Sequence, residues 1–311
     1  MADGQPLLVK VGARGSKLSL AQAGAVLEKL KAVSPEVQFE LFPIKTQGDH
    51  DRQTPLAGFE GRGVFIKELE SALSDGRIDI AVHSAKDMPS VLDEAYCIAA
   101  VPERAPVEDV LISKDNIELG SLPPGTKLAT GSPRRRALVK MMAPAAEFVD
   151  VRGNIDTRLR KLHEGEFDAI ILARAGLLRL GLEDHITQVL SPYEFIPASG
   201  QGALALEVRK DDNNIMEIAR KIDSRMDHTA LNAERVLLST LQAGCSLPIG
   251  GWARWEDSSL KMDAVVLDIE GRNAIRSSGE VKSADDAEIL GRRIAKNLIS
   301  QGAKDLLRDG K

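Results

Sequence analysis

Arg134, Arg135 and Arg136 follow one another in Thr130-Gly131-Ser132-Pro133-Arg134-Arg135-Arg136, and three guanidinium groups so placed are equipped to grip anions. Their planar forks match carboxylates and phosphates at two points. Ser132 reads as an N-cap and Pro133 as the first helical residue. The arginines then fall in a first helical turn, where the helix dipole disfavours cations. An anion received by the arginines and by the orphan N–H groups of that turn would offset the cost; a solvated basic face is the simpler alternative. A second kind of chemistry is open to Cys245, in Gly244-Cys245-Ser246-Leu247-Pro248. A thiol on such a loop, with a reference pKa of about 8.5, can supply thiolate as a nucleophile, or it can be an inert small hydrophobe, which is how Cys97 reads in its apolar run. A cysteine or serine hydrolase has the residue types it needs, but no Gly-x-Ser-x-Gly elbow occurs and His83 has no partner evident in the sequence. Asp87, taken alone, fits a turn cap before Met88-Pro89.

These residues need elements to hold them, and the apolar periodicity supplies a repeating unit. Residues 7–12 read as a strand, 13–16 as a loop, and about 18–33 as an amphipathic helix with Val26, Leu27 and Leu30 inward. A strand at 38–44 leads into a polar, glycine-rich stretch, 46–63, which reads as a functional lid or a disordered loop. Helical spacing returns at 65–73, and a buried strand at 78–82 ends in His83-Ser84-Ala85-Lys86-Asp87-Met88-Pro89. The pattern then recurs. Strand 127–129 enters the arginine loop, and strand 147–151 enters Arg152-Gly153-Asn154 and a helix with Arg158, Arg160 and Lys161. Strand 168–173 is followed by Arg174 and Arg179. From Arg134 to Arg179 there are ten Lys/Arg against six Asp/Glu, in a chain whose net charge is -5.

Alternating strands and helices imply α/β domains, whose ligands bind outside the carboxyl ends of the strands. Arg14, Arg134, Arg135, Arg152, Arg158 and Arg179 would gather at that edge and line a cleft for a polyanion. The small residues of 198–202 suggest a hinge. Beyond a helix at 229–241, strands at 261–267 and 274–281 and a helix at 285–299 predict a separate small α+β domain.

The 311 residues allow two or three domains. With 43% apolar and 28% charged residues, the composition is that of a soluble globular protein. No apolar run is long enough for a membrane span and the first residues do not resemble a secretion signal, so a cytoplasmic location is expected, with no membrane partner. Two cysteines far apart predict two thiols. Five histidines without metal-ligand spacing predict no metal. The acidic balance and 4% aromatic content speak against nucleic acid.

Three longer motifs carry a family likeness: Leu241-Gln242-Ala243-Gly244-Cys245-Ser246-Leu247-Pro248-Ile249-Gly250, His83-Ser84-Ala85-Lys86-Asp87-Met88-Pro89, and Arg152-Gly153-Asn154-Ile155-Asp156-Thr157-Arg158-Leu159. From about Val9 to the last helix the chain resembles the porphobilinogen deaminase (hydroxymethylbilane synthase) family, with motifs in the same order. The resemblance implies two periplasmic-binding-protein-like α/β domains with a cleft between them, plus a small C-terminal α+β domain. The implied boundaries are 1–102 with 201–222, then 103–200, then 223–311. It implies an enzyme that condenses four porphobilinogen molecules head to tail, releasing ammonia, on a dipyrromethane cofactor joined by a thioether to Cys245, and then frees hydroxymethylbilane with water.

Each pyrrole of cofactor and substrate carries an acetate and a propionate, so the resemblance gives the arginines a ligand. The implied cofactor-binding residues are Lys86, Asp87, Thr130, Ser132, Arg134, Arg135 and Arg158. Those implied for substrate carboxylates are Arg14, Ser16, Arg152, Arg158 and Arg179. Asp87 matches the catalytic carboxylate, whose chemical use is to accept pyrrole N–H bonds while cationic character develops, or to shuttle protons. The lid departs from the usual pair of lysines, with Gly58 and Arg62 at the matching positions. Arg136 and Arg174 match no family role. A monomer without metal is implied. The rival from another class, a noncatalytic two-lobed solute-binding protein, explains the arginines but not the Cys245 loop.

Overall fold

The computed structural model describes residues 7–44, 66–242 and 247–308. They divide into two compact units, Met1–Arg104 with Ala203–His228, and Ala105–Gly202 with Thr229–Lys311.

In the first unit, β1 (Leu8–Arg14) buries Val9, Val11 and Ala13 completely and ends on Arg14. α1 (Lys17–Val33) starts at Ser16, whose Oγ accepts the Ser19 N–H at 3.2 Å, and turns Ala23, Val26, Leu27 and Leu30 onto the sheet. β2 (Gln38–Ile44), α2 (Lys67–Ser74), β3 (Ile80–Ser84) and β4 (Tyr96–Ala100) follow. The sheet order is β2-β1-β3-β10-β4, where β10 (Leu204–Arg209) is the returning chain. β1 runs parallel to β2 and β3, and β10 antiparallel to β3 and β4. α6 (Asn213–Arg220) packs Ile215, Ile218 and Ala219 into the same core. β3 lies two residues later than its expected span. The Ile78 N–H closes the preceding helix onto the Ala72 carbonyl, and the Asp79 N–H bonds the Lys10 carbonyl. His83 is therefore inside the strand and buried, not beyond its end.

The second unit holds a sheet of the same construction, ordered β7-β6-β8-β5-β9. Its strands are β5 (Asp109–Ser113), β6 (Lys127–Ala129), β7 (Glu147–Val149), β8 (Ala169–Ala173) and β9 (Gln188–Val189), and its helices α3 (Pro133–Met142), α4 (Ile155–His163) and α5 (Arg174–Leu178). β6 is parallel to β7 and β8, and β5 is antiparallel to β8. A third, antiparallel sheet is built of β11 (Ile249–Glu256), β12 (Ser259–Leu267) and β13 (Ala274–Val281). Trp252, Val265 and Leu267 from this sheet share a core with Leu111, Leu128 and Leu138. α8 (Ala287–Ser300) and α9 (Ala303–Arg308) cover its other side. The protein is thus mixed α/β with two such sheets and a small C-terminal sheet-and-helix region.

α7 (Arg225–Leu241) begins four residues before its expected start. Ser224 caps it: the Ser224 Oγ–H donates to Asp227 at 2.6 Å and Oγ accepts the Asp227 N–H at 3.4 Å. The stretch 198–202, which the sequence suggests as a hinge, ends at the boundary between the two units and is hydrogen-bonded within the second. The Gly200 N–H donates to Glu234 at 2.6 Å, Gln201 Nε2 donates to the Val107 carbonyl at 2.7 Å, and the Gly202 carbonyl accepts Arg179 at 2.7 Å. Gly202 has φ 86°, and a Cβ there would run into the Ala105 carbonyl oxygen, so the close approach itself requires glycine.

Candidate active site

Both five-stranded sheets contain a switch point, where consecutive loops leave in opposite directions and open a crevice at the carboxyl ends of the strands. In the first sheet it lies between β1 and β3, because the chain passes from β1 to β2 on one side and returns to β3 on the other. Arg14 ends β1 and Ser16 follows it, and Lys86 and Asp87 follow β3 on a short 3₁₀ turn, Ala85–Asp87. Buried Ala85 and Met88 anchor that turn, with the Met88 N–H on the Ala85 carbonyl at 3.2 Å and the Ala85 N–H on the Ala203 carbonyl at 3.0 Å. Asp87 points outward. It is exposed, and among the described residues nothing is hydrogen-bonded to its carboxylate. A carboxylate held on a rigid turn without an internal partner is available to accept N–H groups from a ligand.

In the second sheet the switch point lies between β6 and β8. Thr130, Ser132, Arg134 and Arg135 follow β6, Arg152 and Arg158 follow β7, and Arg174 and Arg179 follow β8. Ser132 caps α3 as expected, its Oγ accepting the Arg135 N–H at 3.4 Å, with Pro133 in the first turn. The arginine triplet divides. Arg134 and Arg135 are buried, with Asp109 between them at 2.8 Å and 2.7 Å. Arg134 also donates to the Ile196 carbonyl at 2.8 Å, and Arg135 to the Ile171 carbonyl at 3.1 Å. Arg136 turns to the surface, pairs with Asp150 at 2.9 Å and lies over the Phe148 ring. Arg174 pairs with Glu108 at 3.1 Å.

Asp109 and Gln201 are the residues that sequence reasoning missed. Asp109 is fully buried at the head of β5, and Gln201 Nε2 donates to it at 3.0 Å. The signal was a charged residue opening an apolar strand, Asp109-Val110-Leu111-Ile112. Burial alone would push its carboxyl up, but the Arg134 and Arg135 guanidiniums reverse that and hold it at about 2. Part of the anion that the triplet called for is therefore internal. One carboxylate for two guanidiniums still leaves positive charge at the start of α3.

Neighbouring cations add to it. Burial, with the field of Arg135 second, pulls Arg158 down to about 10, and burial pulls Arg179 to about 10. Arg158 Nε donates to the Gly153 carbonyl at 2.8 Å, a loop that Gly153 shapes with φ 101°. Depressed guanidiniums in a partly buried, cation-rich loop set are stabilised by an incoming anion.

Matches to known proteins decide the family. The family model described as "Porphobilinogen deaminase, dipyromethane cofactor binding domain" matches residues 9–217, and "Porphobilinogen deaminase, C-terminal domain" matches residues 228–300. The chain belongs to the porphobilinogen deaminase family.

Porphobilinogen deaminase from Syntrophobacter fumaroxidans is 40% identical over 302 residues, 97% of each chain. That from Desulforudis audaxviator is 44% identical over 299 residues, 96% of each. Porphobilinogen deaminases are the transferases also called hydroxymethylbilane synthases and act in porphyrin and heme biosynthesis. Among solved structures, a TRAP periplasmic solute binding protein from Desulfovibrio salexigens is 10% identical with a TM-score of 0.44, covering 70% of this chain and 73% of that one.

The donor set fits the dipyrromethane cofactor of the porphobilinogen deaminase family: planar cations in excess of their internal counterion, with Thr130 and Ser132 beside them, suit a ligand carrying several carboxylates. Cys245, Arg62, Gly58 and the 46–63 segment lie outside the described residues. Among the described residues no group of three or more His, Cys, Asp or Glu could hold a metal ion, and no helix is long and apolar enough to cross a membrane.

Proposed function

We propose that this enzyme condenses four porphobilinogen molecules head to tail with loss of ammonia, on a dipyrromethane joined by a thioether to Cys245, and releases hydroxymethylbilane by hydrolysis. The cofactor, when attached, supplies a free pyrrole α-carbon as the end that is extended. Lys86, Thr130, Ser132, Arg134, Arg135 and Arg158 would hold its carboxylates, and Arg14, Ser16, Arg152, Arg158 and Arg179 those of the substrate, with Arg62 assisting from the 46–63 segment. Asp87 accepts pyrrole N–H groups, stabilises the positive charge that develops as ammonia leaves, and moves protons at its carboxylate. The same reading makes the protein a cytoplasmic monomer with the domain limits 1–102 with 201–222, 103–200 and 223–311.

The observation that carries this reading is the charge excess on the second sheet, where Arg134 and Arg135 share a single buried Asp109 and Arg158 lies within the field of Arg135. A chain of acetates and propionates satisfies several such cations together. The test is stoichiometry: incubation with porphobilinogen should release four ammonia for each hydroxymethylbilane. Saturable binding of porphobilinogen without ammonia would return the protein to the class of binding proteins.

A further inference from the structure

His83 and Glu207 form a buried pair for which the proposed chemistry has no direct use. His83 Nε2 lies 2.9 Å from Glu207 Oε2, across 124 residues of sequence, with side-chain exposures of 5% and 0%. A carboxylate acceptor requires that Nε2 carry the proton. The second carboxylate oxygen of Glu207, Oε1, is buried and has no hydrogen-bond partner among the described residues. As scaffold this is a poor choice, because an apolar pair of similar volume would hold two strands together as well or better and leave no orphaned oxygen. What the pair adds is geometry.

Ala205 stands opposite His83 in the β3–β10 ladder and Glu207 opposite Ala81, so the two side chains meet diagonally on one face. The bond is made only in this register. The ladder between β10 and β4 shifts between Leu206 and Glu207, an irregularity of the kind that re-aims a side chain. Register matters because the next tie along the same two strands is the Ala85 N–H on the Ala203 carbonyl, at the base of the Lys86–Asp87 turn. Ser84, between them, is held by Gln22 of α1 at 3.0 Å.

We propose that the His83–Glu207 pair is a positioning device that sets the height and direction of the Lys86–Asp87 turn; this rests on the reading of Asp87 as the reacting carboxylate. The pair touches no substrate. Its effect passes through the backbone from His83 to Asp87, and an error of about 1 Å at a catalytic group lowers turnover on the order of a hundredfold.

The experiment compares the double variant His83→Leu with Glu207→Leu, the single variant His83→Gln, whose amide nitrogen can replace Nε2 as donor, and Glu207→Gln. Each is characterised by melting temperature, intact mass, and kcat and KM for porphobilinogen. The Leu pair should melt no lower than wild type, carry its cofactor and keep KM within about twofold, while kcat falls at least tenfold; His83→Gln should recover most of that loss. Wild-type kcat in the folded Leu pair overturns the inference. So does a loss confined to KM, a loss that His83→Gln does not relieve, or failure of all three variants to fold, which would make the pair plain scaffold. Failure of the proposed function would look different, since wild-type protein would then release no ammonia.

Discussion

Removing the buried carboxylate at Asp109 is the sharpest perturbation of the arginine site. In Asp109→Asn the shape is kept, but Arg134 and Arg135, at 2.8 Å and 2.7 Å, lose their shared counterion while both stay buried. Breaking a buried ion pair by deleting one partner costs about 3–5 kcal/mol, a large share of a typical stability of about 5–15 kcal/mol. The pH dependence gives a second handle. Burial raises the carboxyl and the two arginines more than reverse it, to about 2 against an ordinary 3.8. At 1.36 kcal/mol per unit this is on the order of 2 kcal/mol. Because the folded-state value is the lower one, that stabilisation is complete above about pH 4 and is lost as pH falls through about 2. Urea unfolding followed by tryptophan fluorescence reports on the right unit, since both tryptophans, Trp252 and Trp255, lie in β11. The variant should unfold at markedly lower urea at pH 7 with an unchanged slope, and the gap to wild type should narrow toward pH 2. A variant within about 0.5 kcal/mol of wild type at pH 7, or a gap that widens in acid, would refute the reasoning.

Asp87→Asn should keep porphobilinogen binding and lose turnover on the order of a hundredfold or more; near-normal kcat would remove its catalytic role. Arg152→Ala or Arg158→Ala should stall elongation or cofactor assembly, seen by mass spectrometry as an accumulated short adduct or an unloaded chain, and a normal ladder of intermediates would count against their assignment. Gly153→Ala forces a side chain into φ 101° and to within 2.9 Å of the Thr157 methyl, a strain of about 1–3 kcal/mol. It should lower stability and weaken carboxylate binding at Arg158, whose Nε the Gly153 carbonyl receives; unchanged affinity would show that the loop does not position Arg158.

Local periodicity made much of this fold legible. The inward helical face of Val26, Leu27 and Leu30, the alternation in 38–44 and the Ser132-Pro133 helix start all appear where the residues place them. Three features were illegible because they depend on residues distant in sequence. His83 gains Glu207, and Arg134 and Arg135 gain Asp109. The 198–202 stretch, read from its composition alone, gains hydrogen bonds to Glu234, Val107 and Arg179. The start of α7 was a different case, since Ser224 and Asp227 offered a cap that the apolar pattern alone did not show. For the candidate site, sequence supplied the arginines and Asp87, while the internal carboxylate that sets their charge balance came only from the fold.

Intact mass of the active protein tests the central claim most directly, followed by mapping of the peptide that contains Cys245. A mass above that of the sequence by one dipyrromethane, located on Cys245, is the predicted result. Active protein with an unmodified Cys245 would contradict the account.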